Sequence, residues 1–188
     1  LRLLQTGADD SWIRITAQKI LDQVAAHIGE TSYLAKLVDD HVVSIAWAAP
    51  SNGVRGHVVP GLSQPLHAAA CAKAILAYQP SAYVHSLLSD PLPKICVNTK
   101  TSVAEVVTEL KTVAEQGYAT CINENEMGVT AIACPVHIKD LGVIYSVGVM
   151  SLGTRVSTAR LAEIATILKI AADDLGSGVS AGRNDQGA

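Results

Sequence analysis

Only four cysteines occur in this 188-residue chain, at positions 71, 96, 121 and 134. They form no CxxC pair and no zinc-finger spacing, so the common cysteine-borne metal and dithiol motifs are excluded. No signal peptide opens the chain, and the dense cysteine framework of small secreted domains is missing. Reduced thiols in a cytoplasmic protein are therefore expected. No apolar run approaches the roughly 18–20 residues that a membrane-spanning helix needs. Positive charge is not in excess either. Fourteen Lys and Arg against 17 Asp and Glu give a formal net charge of −3, and the basic residues are scattered. That is no electrostatic footprint for nucleic acid. No Walker loop, GxGxxG, GxSxG or HExxH is present. The chain also lacks an initiator methionine. It opens LRLLQTG, which is expected of a piece of a longer protein.

What is present suits one domain with a substantial core. Half the residues (49%) are apolar, and the length is ample for burying them. After the acidic break at Asp9–Asp10, Ser11 can cap a helix whose apolar positions include Ile13, Ala17, Ile20, Leu21, Val24 and Ile28, ended by Gly29. TSYLAKLV and HVVSIAWAA, joined by Asp39–Asp40, read as a hairpin, and VRGHVV (54–59) as a third strand. Residues 66–78 and 81–89 read as helices. The stripe Val103, Val106, Val107, Leu110, Val113 and Ala114 marks a longer helix with Gly117 past its end. Strands near 118–122, 129–137 and 143–151 follow, then a helix with Leu161, Ile164, Leu168, Ala171 and Leu175 on one face. Strands come in blocks joined by tight turns, so the fold class is α+β: an antiparallel sheet of about six strands flanked by helices. The tail 176–188 has no core-building pattern and is expected to be disordered.

Two segments carry candidate chemistry. PLHAAACAKAIL places small residues at the first turn of a helix, where unpaired N–H groups suit a small carboxylate. Its bland reading is an alanine-rich packing helix. CINENEMG lies between two strand-like runs and is either a solvated hairpin loop or one wall of a cavity. The six histidines (27, 41, 57, 67, 85, 137) have no ligand-like spacing and read as structural or surface residues. Lys73 reads as a helix-surface or helix-packing residue.

Taken together, PLHxxxxxKAIL, the long helix ending in GY, ExxxGVxAIAxPV and the strand VIYSVGV resemble the effector-binding domain of IclR-family transcription regulators. The resemblance runs over residues 11–175. Gly117, Glu124, Ala131, Ile132, Ala133, Val136 and His137 fit the family signature in GYATCINENEMGVTAIACPVHI. Cys121 departs from it, where an acidic residue or serine is expected, and Ile138 departs where aspartate or asparagine is expected.

The resemblance implies a GAF-like domain, with residues 1–10 as the end of a linker helix. DNA would be bound only through an N-terminal winged helix-turn-helix outside this chain, by a homodimer or tetramer, with no membrane, cofactor or metal involved. The ligand would be a small organic acid. The family's contact positions fall on Ala70, Cys71, Cys121, Val129, Ala131, Gly148 and Met150. A thiol, a glycine and a methionine stand where relatives that bind small polar acids carry acidic or hydroxyl groups. The expected effector is therefore less polar than glyoxylate or pyruvate, an aromatic or longer-chain acid. If Cys71 and Cys121 share the pocket, a disulfide or a soft-metal site is a second expectation. No catalytic residue is assigned. The competing readings are a cysteine-dependent enzyme or thiol sensor on a GAF-like fold, and a purely structural dimerisation module. The last predicts a filled interior between the signature loop and the sheet.

Overall fold

The computed structural model describes residues 11–51, 56, 58–152 and 156–185. Helix α1 (Ser11–Ile28) comes first. Its buried positions Ile13, Ala17, Leu21, Val24, Ala25 and Ile28 recur at helical steps, so one face lies against a sheet. Gly29, at φ 77°, ends the helix and returns its N–H to the Ala25 carbonyl at 2.9 Å, a left-handed conformation that suits glycine. The expected hairpin follows as β1 (Thr31–Val38) and β2 (His41–Ala48), turning at Asp39 and Asp40. Of the strand expected over 54–59, Gly56, Val58 and Val59 belong to no strand, and the remainder lies outside the described residues. The third strand is instead the short β3 (Ser63–Gln64).

The helix expected over 66–78 is shorter. Ala68 and Ala69 both donate to the Pro65 carbonyl in a turn, and α2 spans only Ala70–Leu76. Then come α3 (Ser81–Leu87) and α4 (Val103–Gln116). Ser102 caps α4 by accepting the Glu105 N–H at 3.2 Å while its hydroxyl donates to the Glu105 carboxylate at 2.9 Å, so residue and cap hold each other. Strands β4 (Ala119–Ile122), β5 (Val129–Ile138) and β6 (Gly142–Leu152) precede α5 (Thr158–Asp185). Residues 176–185 of the expected tail continue α5 to Asp185, and 186–188 lie outside the described residues. The physical reason begins at Gly176, which is buried, and where an added Cβ would fall 2.3 Å from the His137 carbonyl oxygen. The missing side chain lets α5 rest directly on the backbone of β5. The expected linker-helix remnant, 1–10, lies outside the described residues.

The strands form one antiparallel sheet in the order β3-β2-β1-β6-β5-β4. Its two faces are unlike. Ile132, Cys134, Val136, Val147 and Val149 meet α1 and α5 in a core of large side chains. The alternate positions Ala35, Ala131 and Ala133, with Ala119, meet α2, itself built from Ala70, Cys71, Ala72 and Ala74. Small residues on both sides bring α2 close to the sheet, where Ser146 Oγ donates to the Cys71 carbonyl at 3.1 Å. Among the described residues no helix is long and apolar enough to cross a membrane.

Behind α2 lies the least expected packing in the molecule. Lys73 is fully buried. Its ammonium donates to Glu109 of α4 at 2.9 Å and to Glu124, in the loop after β4, at 2.7 Å. Lys100 completes the cluster, 3.1 Å from Glu109 and 3.6 Å from Glu124. The segment carrying Lys100 is also clipped to that loop. Asn98 donates to Ile122 O at 2.9 Å and to Asn123 O at 3.1 Å, and the Thr99 hydroxyl donates to Glu124 O. Of the two expectations for Lys73, the contact role is the one found, as a buried ion pair and not as apolar packing. Removing one member of such a pair strands charge away from water. Lys73→Met should therefore cost about 3–5 kcal/mol, read as a lowered midpoint in urea unfolding. An unchanged midpoint would show that the two glutamates are relieved in some other way.

Candidate functional site

The close approach of α2 does not close every space above the sheet. A cavity of about 140 Å³ remains between the start of α2, residues 58–64, the loop after β4 and the small-residue face of the sheet. Ala70, Cys71, Cys121, Val129, Ala131 and Met150 line it, which brings together all but one of the positions singled out in the sequence. Gly148 is the exception. An added Cβ there would fall 2.6 Å from Cζ and from Oη of Tyr33, and 2.6 Å from the Ile132 carbonyl oxygen. The glycine therefore seats the Tyr33 ring, and Tyr33 faces the cavity in its stead. Met150 is pinned from the other side by Gly56, whose added Cβ would lie 2.5 Å from the Met150 methyl. Thr31 holds that segment down, its hydroxyl donating to Gly56 O at 3.2 Å.

Other wall residues escaped the sequence reading: Tyr33, Ser44, Val58, Val59, Leu62, Gln64 and Ala69. Only strand register puts Tyr33 opposite Gly148 of β6, and β3 reaches the wall by pairing with β2. The Asn and Glu run does contribute, through Asn125 and Glu126. The loop is shaped by Asn123 at φ 54°, whose side chain accepts the Gly128 N–H at 2.7 Å. Glu124 of the signature turns away, toward Lys73.

A larger groove of about 640 Å³ runs along α4 beside β4, walled by Glu105, Thr108, Glu109, Thr112 and Gln116 among others. It is an open, solvated surface and none of the expected contact positions borders it, so the smaller, more enclosed cavity is the candidate site.

The described wall of the cavity carries little charge. Among the described residues no Lys, Arg or His lines it, and Glu126 is the one charged residue in the described wall. Burial pushes the Cys71 thiol up to about 12, and the neighbouring Cys121 adds to the rise against the pull of the Ala72 N–H. Burial raises Cys121 as well. Burial drives the Tyr33 phenol well above its ordinary range, with Cys71 and Cys121 contributing. Such thiols stay protonated at neutral pH and are poor nucleophiles. All four cysteines are free, and among the described residues no three His, Cys, Asp or Glu side chains converge as a metal would require. Of the described histidines, His67 donates to Pro93 O at 2.9 Å and His137 meets Tyr78 edge-on at 4.9 Å, both structural contacts.

These environments order the thiols by reactivity. At pH 8, iodoacetamide should modify the half-buried Cys96 first, with Cys71, Cys121 and Cys134 labelled only as the protein unfolds. Peptide mass mapping over time reads the order, and rapid labelling of Cys121 in folded protein would contradict it. The sign with pH follows. From 9.0 to about 12 the unfolded chain loses the Cys71 proton while the folded one keeps it, so this thiol's contribution to stability is intact below pH 9 and falls as pH rises.

Comparison with known proteins matches this arrangement. The family model for the C-terminal region of IclR bacterial transcriptional regulators covers residues 6–177. An HTH-type transcriptional regulator of Haemophilus influenzae is 32% identical over 139 residues, 71% of this chain and 52% of that protein. The chain thus spans about half the length of that relative. The crystal structure of an IclR regulator from Alicyclobacillus acidocaldarius superposes with a TM-score of 0.83 at 30% identity, over 91% of this chain and 69% of the other. An IclR homologue from Microbacterium hydrocarbonoxydans, solved with 4-hydroxybenzoate, shares the fold at a TM-score of 0.81 and 21% identity, over 95% of this chain and 72% of the other. The chain belongs to the IclR family of bacterial transcriptional regulators and is the C-terminal, GAF-like effector-binding domain of that family.

Proposed function

We propose that this domain senses a small organic acid about the size of one aromatic ring, bound in the cavity between α2 and the sheet. The carrying observation is the cavity itself, walled by Ala70, Cys71, Cys121, Val129, Ala131 and Met150, with no cationic side chain among the described residues. A dimerisation module would have filled this interior. An enzyme using a cysteine would need an ionisable thiol, whereas burial raises both cavity thiols. A volume of about 140 Å³ is close to that of the ~150 Å³ apolar cavity known to hold benzene. Thiol, thioether and methyl groups favour a polarizable ring over a hydrated two- or three-carbon oxoacid. The hydroxybenzoate held by the Microbacterium homologue supports the same class.

At the cavity end of α2, Ala69 offers no side-chain cap. The backbone N–H groups of Ala70 and Cys71 can therefore meet the ligand's carboxylate, with Ser44, Gln64 and Asn125 as further neutral donors. In the full-length protein, a cytoplasmic homodimer or tetramer, effector binding would order the loop after β4 against α2. That would shift how N-terminal DNA-binding domains are presented, a coupling between two sites.

A thermal-shift screen followed by calorimetry tests this. A ligand that binds only the folded state at 100 times its Kd stabilises by about 2.7 kcal/mol. Benzoate and hydroxybenzoates should raise the melting temperature while glyoxylate and pyruvate leave it unmoved. Ala131→Leu, which fills the cavity, should remove the response. Tight binding of glyoxylate or pyruvate with none of the aromatic acids would overturn the reading.

A further inference from the structure

We infer that Tyr33 determines specificity in this cavity, its hydroxyl donating the hydrogen bond that receives the acid head of the ligand. The inference rests on the reading above and adds a residue to which nothing in the family pattern assigns a role. Tyr33 is 6% exposed and lines the cavity. No described residue hydrogen-bonds its hydroxyl, so an acceptor bound in the cavity that Tyr33 lines can take that hydrogen bond.

The position of the ring is enforced. Tyr33 pairs with Gly148 across β1 and β6, and its Cζ and Oη occupy the place where a side chain at 148 would begin. Two residues away on the same face of β6, Ser146 donates to the Cys71 carbonyl. The phenol therefore ends beside the start of α2, over the middle of the sheet.

The rest of the wall explains why a phenol is needed there. Among the described residues no Lys, Arg or His lines the cavity. The nearest buried ammonium, that of Lys73, is committed to Glu109 and Glu124, and Lys100 approaches the same two carboxylates. The described wall meets an acid entering this space with neutral donors, and a hydrogen bond to an ionised acceptor is the stronger kind, about 1.5–3 kcal/mol. Tyr33 can serve as that donor because its surroundings keep it protonated.

The test is Tyr33→Phe, measured with benzoate as the probe. The hydroxyl has no partner in the empty protein, so the variant should melt at the wild-type temperature without ligand. Its Kd for benzoate should rise about tenfold or more, as expected for the loss of about 1.4 kcal/mol. Gly148→Ala gives a second handle: displacing the ring while leaving its hydroxyl intact should weaken benzoate as well. If wild type and Tyr33→Phe bind benzoate equally, the inference falls while the proposed function stands. If Tyr33→Phe melts several degrees lower without ligand, the hydroxyl is a structural group and the inference also falls. If no single-ring acid binds wild type, the proposed function fails and this inference fails with it.

Discussion

The arrangement of the half of this domain built around α2 depends on one buried ammonium. Lys73 is the largest fully buried side chain among the described residues, and such a charge is tolerated only with opposite charge and hydrogen bonds at close range. Glu109 and Glu124 supply both, and Lys100 balances the second carboxylate. The members come from α2, the segment before α4, α4 itself and the loop after β4. An apolar contact at this point could slide; an ion pair in low dielectric has one geometry. The cluster therefore sets where the loop stands relative to α2, and with it one wall of the cavity.

The second constraint is the unequal size of side chains on the two faces of the sheet. On the α1 and α5 side, valine and isoleucine fill the space. On the α2 side, alanine and glycine leave room, which the helix takes up only in part. The remaining space is polar at its rim and apolar at its floor. Gly148 and Gly56 show how tightly that floor is made, each giving up a side chain so that Tyr33 and Met150 can lie where they do. The cavity follows from packing small against small around a helix held in place from behind.

Its described wall suits recognition by contact and hydrogen bonding. Buried thiols whose pKa burial raises and a phenol raised in the same way can fill space against a ring and donate hydrogen bonds. That agrees with the proposed effector pocket and with a family whose members are regulators.

Element types and most boundaries were legible in the sequence because periodicity is a local property: α1, the β1–β2 hairpin, α4 with its Ser102 and Gly117 ends, and β4 to β6 all announce themselves. Of the contact positions implied by the family resemblance, those at 70, 71, 121, 129, 131 and 150 line one cavity, and Gly148 does not. The failures share a cause. VRGHVV has strand composition, yet its described residues pair with nothing. Residues 176–185 lack a stripe, yet the buried Gly176 lets a helix lie against backbone. Lys73 reads as a helix-surface or helix-packing residue, and its ion pairs appear only when Glu109 and Glu124, 36 and 51 residues away, are brought to it. Tyr33 is one tyrosine in a strand until register sets it over Gly148. By itself the sequence determined most of the elements and the fold class. Only the tertiary structure decided which charge is buried, which ring faces the cavity and how much space is left, because those depend on contacts between segments far apart in the chain.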